Sequence, residues 1–106
     1  MSSQPNYITV VGSRHYFGVE VFKVGQRVKL TKNYENPHDS EAIKVELEPI
    51  GKVGYVANST HTVARGTRSA GRIYDLFNES CSGQVMFILK GDVIVQLENG
   101  NNISVE

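Results

Sequence analysis

The sequence predicts a mainly β domain, a small antiparallel barrel or strongly bent sheet with helices laid across one opening. Three observations predict it. The apolar residues fall in short β-branched runs that alternate with polar ones, glycine and proline punctuate those runs, and the period changes only between residues 58 and 77. Closing such a sheet removes its exposed edges, and a helical insert caps the core.

Residues 1 to 5 read as a polar leader. Tyr7–Val11 is β-branched and aromatic and is bounded by Gly12, so it reads as a strand. Val19–Phe22, between Gly18 and Gly25, reads as a second, short one. Arg27–Thr31 alternates, with Val28 and Leu30 on one face and a basic outer face. Asn33–Ser40 is rich in turn residues, notably Asn36-Pro37 and His38-Asp39-Ser40. Ala42–Leu47 alternates with Ile43, Val45 and Leu47 inward, Pro49 and Gly51 interrupt, and Val53–Val56 is a further strand. Asn58-Ser59 reads as a cap before a short helical stretch from Thr60 to Arg65, ended by Gly66. Ser69 caps a second helix with Ala70, Ile73, Tyr74 and Phe77 on one stripe. Gln84–Leu89 and Val93–Leu97 form a hairpin about Lys90-Gly91-Asp92, and Asn99-Gly100 turns the chain toward Ile103–Val105.

A length of 106 residues fits a single domain, with 40% hydrophobic and 21% charged residues in the globular range. The one cysteine, Cys81, excludes an internal disulfide and a zinc site of several thiolates, and it reads as a small buried hydrophobe. A reducing cytoplasm is the expected location, with no signal peptide and no apolar run of the roughly 20 residues that span a bilayer. The net charge of +0 hides an asymmetry: through Arg72 ten basic residues stand against six acidic ones, and beyond it one against five. Such a field steers an anion to one face. Arg65, Arg68 and Arg72 read as the solvated face of the helical insert.

Three motifs carry a resemblance: Val10-Val11-Gly12-Ser13-Arg14-His15-Tyr16-Phe17-Gly18, then Asn36-Pro37-His38-Asp39 running into Ala42-Ile43-Lys44-Val45, then Lys52-Val53-Gly54-Tyr55-Val56. In this order and spacing, over about residues 7–97, they resemble the HIRAN domain family. The resemblance implies an OB-like antiparallel barrel of about six strands, with two short helices inserted before the last strands. It implies a stand-alone, non-enzymatic module without cofactor or metal, which binds single-stranded DNA or DNA ends, 3′-hydroxyl ends included. It further implies work in DNA repair or processing beside a helicase or nuclease partner.

The implied DNA-binding residues are Arg14, His15, Tyr16, Asn36, His38, Asp39, Tyr55 and Asn58. Arg14 offers a planar fork of donors to a backbone phosphate. Tyr16 contacts the strand with its ring or hydroxyl, and Asp39 accepts the hydrogen bond of a terminal 3′-hydroxyl. Asn36 and Asn58 add hydrogen bonds to sugar or phosphate. His15 and His38 stand where an end-binding family member sandwiches a base between tyrosines, and Tyr55 stands where it has histidine; imidazole stacks with less area.

Enzymatic readings find little support in the residues. No Gly-rich phosphate loop ending in Lys-Ser or Lys-Thr is present. His15, His38, His61 and Asp39 lack diagnostic metal-ligand spacing, and no nucleophile elbow surrounds Ser13 to make a triad with His15 and Asp39. The alternative is a protein-docking module that uses the open barrel edge or the apolar hairpin from Val85 to Leu97 to hold a helicase or nuclease, without touching DNA.

Overall fold

The structure, a computed structural model, describes residues 6–89 and 91–98. Six strands form it: β1 (Tyr7–Val11), β2 (Arg27–Lys32), β3 (Ile43–Leu47), β4 (Gly51–Val56), β5 (Ser80–Leu89) and β6 (Asp92–Leu97). They close into an antiparallel barrel in the order β1-β4-β3-β2-β5-β6, with β6 returning to β1 through pairs from Tyr7↔Gln96 to Val10↔Val93. The expected mainly β, OB-like barrel is the observed architecture. The leader at residues 1 to 5, Lys90 of the expected turn, the Asn99-Gly100 turn and the strand at Ile103–Val105 lie outside the described residues.

Alternation dictates which side chains enter the barrel. On β2, Val28 and Leu30 are buried between exposed Arg27 and Lys29; on β3, Ile43, Val45 and Leu47 are buried. Ile8, Val10, Val53, Val85, Val93, Val95 and Leu97 complete the interior. Ala70, Ile73 and Phe77 extend that cluster from the helical insert, and Phe22 extends it from the loop before β2. Truncating one such Leu or Ile to Ala costs about 2–5 kcal/mol.

Glycine sets the closest approach in the barrel wall. A Cβ on Gly54 would lie 2.8 Å from Val10 Cγ1 and 2.9 Å from the Val11 carbonyl oxygen. Only a residue without a side chain lets β4 reach β1 there, where Val11 pairs with Tyr55.

Three expectations need correction. Val19–Phe22 is not a strand: Val19–Val21 is a 3-10 turn, closed by the Phe22 N–H donating to the Val19 carbonyl at 3.0 Å. In a closed barrel β1 and β2 already have partners on both sides, so a short run has no edge to join. Thr60–Arg65 is not a helix but a series of turns. Thr60, Thr62 and Val63 are poor helix formers, and the buried Thr9 hydroxyl takes the Ala64 N–H at 3.2 Å. The two expected helices therefore reduce to α1 (Ala70–Ile73), continued by a 3-10 turn at Tyr74–Leu76.

Ser69 does cap α1, its hydroxyl accepting from the Arg72 N–H at 3.2 Å. The insert is latched to the barrel by Lys32. Its ammonium donates to the Phe77 carbonyl at 2.9 Å and sits 4.2 Å from the Tyr74 ring centre. No helix among the described residues is long and apolar enough to cross a membrane.

Candidate functional site

Two loops and the end of β4 carry the eight side chains singled out in the sequence. Arg14, His15 and Tyr16 belong to the loop at residues 12–18, in and just after a 3-10 turn at Ser13–His15. Asn36, His38 and Asp39 belong to the loop at residues 33–41, which the Asn33 N–H closes onto the Ala42 carbonyl at 2.8 Å. Tyr55 lies on β4 and Asn58 follows it by three residues, so their Cα atoms are within about 10 Å.

The first cluster centres on Lys52, a residue the sequence reading did not select. Its ammonium lies 5.3 Å from the Tyr16 ring centre and 5.1 Å from that of Tyr55. It donates to the Tyr55 hydroxyl at 3.1 Å, and the Asn33 side-chain amide donates to the same oxygen at 2.8 Å. That oxygen thus accepts from both groups. The hydrogen bond to Tyr55 raises the Lys52 pKa, outweighing the lowering effect of burial. At Tyr55 burial pushes the pKa up, but the hydrogen bond and charge of Lys52 prevail and hold it below the usual phenol range. The result is a fixed positive charge between two aromatic rings.

The second cluster centres on Asp39. The Asn58 amide donates to its two carboxylate oxygens at 3.3 and 3.2 Å and reaches Glu41 Oε1 at 3.4 Å. The Asn58 carbonyl oxygen accepts the Gly71 N–H at 2.9 Å. Asp39 also accepts the Glu41 N–H at 2.9 Å, while Asn36 Oδ1 accepts the N–H groups of His38 and Asp39 at 2.8 and 3.1 Å. Asn36 and Asn58 therefore shape the loop and aim the carboxylate. A carboxylate accepts about four hydrogen bonds, so Asp39 keeps capacity for an incoming hydroxyl.

The structure brings Tyr16 to Tyr55, and Asp39 to Asn36 and Asn58; Asn33 joins the second loop to Tyr55. Among the described residues no contact joins Arg14 to Asp39. The side chains of Arg14, His15 and His38 make no hydrogen bond or ion pair there and are exposed. Arg14 and His15 border a recess of ≈ 470 Å³ with Val11, Ser13 and Val19. No three His, Cys, Asp or Glu side chains among the described residues come together as metal ligands. Burial pushes the Cys81 thiol up to about 12, which leaves almost no thiolate at neutral pH.

Lys52 and Asn33 escaped the sequence reading for different reasons. Lys52 stands inside the third motif, but strict alternation would put it and Tyr55 on opposite faces. A β-bulge opposite Val45 and Glu46 inserts Val53 into β4, buries Val53 and Gly54 in succession, and leaves Lys52 and Tyr55 both partly exposed. Asn33 reads as an ordinary loop residue, and nothing local signals that its amide reaches Tyr55.

A family model described as HIRAN domain matches residues 6–82. No curated protein matches the chain. Among solved structures, a crystal structure of a protein from Lactobacillus plantarum is similar with a TM-score of 0.61 at 22% identity, over 87% of this chain and 88% of that one. The crystal structure of the HIRAN domain of human HLTF is similar with a TM-score of 0.61 at 23% identity, over 92% of this chain and 80% of that one. At these identities the two structures speak to the fold, and the family match speaks to descent.

Proposed function

The chain belongs to the HIRAN domain family, and we propose that it is a non-catalytic DNA-binding module that takes single-stranded DNA or DNA ends around β4. The observation that supports this most is the pairing of a cation between two aromatic rings, Tyr16–Lys52–Tyr55, with a hydrogen-bonded carboxylate at Asp39. Bases stack on exposed rings, and Lys52 and Arg14 meet backbone phosphates. Asp39 accepts from a terminal 3′-hydroxyl and repels a phosphate in its place. His15 and His38 add exposed imidazoles beside these groups. In this reading residues 1–106 are one domain with its core at 7–97, acting in the cytoplasm in DNA repair or processing with a helicase or nuclease partner.

The test is fluorescence anisotropy with labelled single strands ending in 3′-hydroxyl, 3′-phosphate or a blocked group, in low salt. Binding is expected, tightest for the 3′-hydroxyl, and weakened in Arg14→Ala. Absence of binding rejects the reading; equal affinity for the three ends rejects end recognition and spares the rest.

A second reading rests on the tip of the β5–β6 hairpin, where Phe87 is 51% and Leu89 54% exposed beside Ile88. Apolar residues grouped at a surface favour protein docking, here of a helicase or nuclease. Salt separates the two: binding through phosphates weakens steeply with ionic strength, and docking through Phe87 and Leu89 does not.

A further inference from the structure

The segment from Ser59 to Ser69 is not a helix face but one wall of a cavity of ≈ 690 Å³, lined among others by Tyr7, Asn58, Arg65, Arg68 and Arg72. Among the described residues no aspartate or glutamate lines it. The ion pairs found among the described residues are Arg27–Glu98 and Lys44–Glu46, so none of these three guanidiniums is neutralised that way. All three arginines are exposed. A volume of this size matches ligand sites, which run to several hundred Å³.

The wall is held by a hydrogen-bond circuit. The Ala64 N–H donates to Thr9 Oγ1 at 3.2 Å. The Thr67 hydroxyl donates to the Ala64 carbonyl at 2.7 Å, so in its 2.8 Å contact with Thr9 it accepts. Arg68 N–H donates to the Tyr7 carbonyl at 2.7 Å. The loop that carries Arg65 and Arg68 is thereby pinned to β1 rather than left to wander. Asn58 belongs to both places: its amide holds Asp39, and it lines this cavity.

We infer that this arginine-lined groove binds the phosphodiester backbone of the DNA strand whose end is held at Asp39. The inference rests on the DNA-binding reading above and extends it past Asn58. Guanidinium forks suit phosphate oxygens, and an acid-free wall leaves nothing to repel them. The groove adds affinity and salt dependence without reading the end itself, because phosphate contacts position a strand and carry no end chemistry.

The experiment compares wild type with the triple variant R65Q/R68Q/R72Q, using a single-stranded DNA dodecamer with a 3′-hydroxyl or a 3′-phosphate across a salt series. The triple variant is expected to bind both strands at least tenfold more weakly. The slope of log affinity against log salt is expected to fall by about two, from about 0.7 per phosphate contact on single strands. The ratio of affinities for the two ends is expected to stay as in wild type, and so is the thermal midpoint. A triple arginine-to-lysine variant keeps the charge and is expected to keep most of the slope. Should the triple glutamine variant fold poorly, R72Q alone is expected to lower the slope by about 0.7. An unchanged slope overturns the inference while wild-type binding leaves the DNA-binding reading standing; no binding by wild type overturns both.

Discussion

The loops at residues 12–18 and 33–41 both reach the surroundings of Tyr55, yet they are built in opposite ways. The first is shaped by its backbone alone, with His15 N–H on the Gly12 carbonyl and the N–H groups of Tyr16 and Gly18 on the Ser13 carbonyl. Arg14, His15, Tyr16 and Phe17 are left exposed. The second satisfies itself through side chains, Asn36 taking two N–H groups and Asp39 held by Glu41 N–H and Asn58. The difference follows from the chemistry each side chain offers. A carboxylate near a polyanion is useful only if aimed at one donor, since misplacement by an ångström meets phosphate repulsion instead. An imidazole and a guanidinium tolerate a range of positions, and their loop can leave His15 and Arg14 free while Tyr16 rests against Lys52.

The largest expected effect breaks the support of the first loop. Gly54→Ala puts a methyl against Val10 and the Val11 carbonyl, just before that loop begins. Overpacking of this kind costs about 1–3 kcal/mol. Each kcal/mol lowers the midpoint of a domain this size by about 4–8 °C, and a thermal melt reads it. A midpoint equal to wild type would show that β1 and β4 have slack at this contact.

Next comes the asymmetry itself. Asn58→Asp replaces a donor by a carboxylate facing Asp39 and Glu41, while it keeps an oxygen that accepts the Gly71 N–H. The expected loss is roughly 1–3 kcal/mol in denaturant unfolding. Arg14→Ala, in the other loop, is expected to stay within about 0.5 kcal/mol of wild type, as an exposed side chain does when it has no hydrogen-bond or ion-pair partner among the described residues. If both variants lose the same stability, the two loops are not built differently.

Affinity gives a finer probe. His15→Tyr and His38→Tyr enlarge the stacking area, and base stacking on an aromatic is worth about 1–3 kcal/mol in all. A gain of about fivefold per substitution in single-strand binding is expected. Because His15 sits in the loop shaped by backbone alone, its variant is expected to gain at least as much as that of His38. A larger gain at His38 would reverse the assignment of adaptable and fixed loops.

What the sequence discloses about this site follows the same division. β2 and β3 were legible because alternation on a barrel wall is a local signal that tertiary structure merely obeys. The partnership of Lys52 with Tyr55 was not, because a bulge breaks alternation where the two residues come to share a surface. Val19–Val21 carries strand-forming residues, but closure of the barrel left it no edge, and no local propensity records that. Asn58 was legible as a capping residue type. The N–H it caps belongs to Gly71, thirteen positions on, and only the fold supplies that address.

The smallest expected effect tests how much of the second loop's order Asp39 provides by itself. A Cβ on Gly71 would lie 2.5 Å from Glu41 Oε1, so Gly71→Ala must turn the Glu41 side chain away. Glu41 is exposed, so the displacement costs little. The longest bond at Asn58, 3.4 Å to Glu41, goes with it. Alanine inside a helix is favoured over glycine by about 0.5–1 kcal/mol. The two terms oppose, and a net change within about 0.5 kcal/mol is expected in denaturant unfolding. That outcome leaves the Asp39 carboxylate as the anchor of Asn58, held at 3.2 and 3.3 Å. A loss above about 1 kcal/mol would mean that Glu41 shares the task, and that the loop's order depends on two carboxylates rather than one.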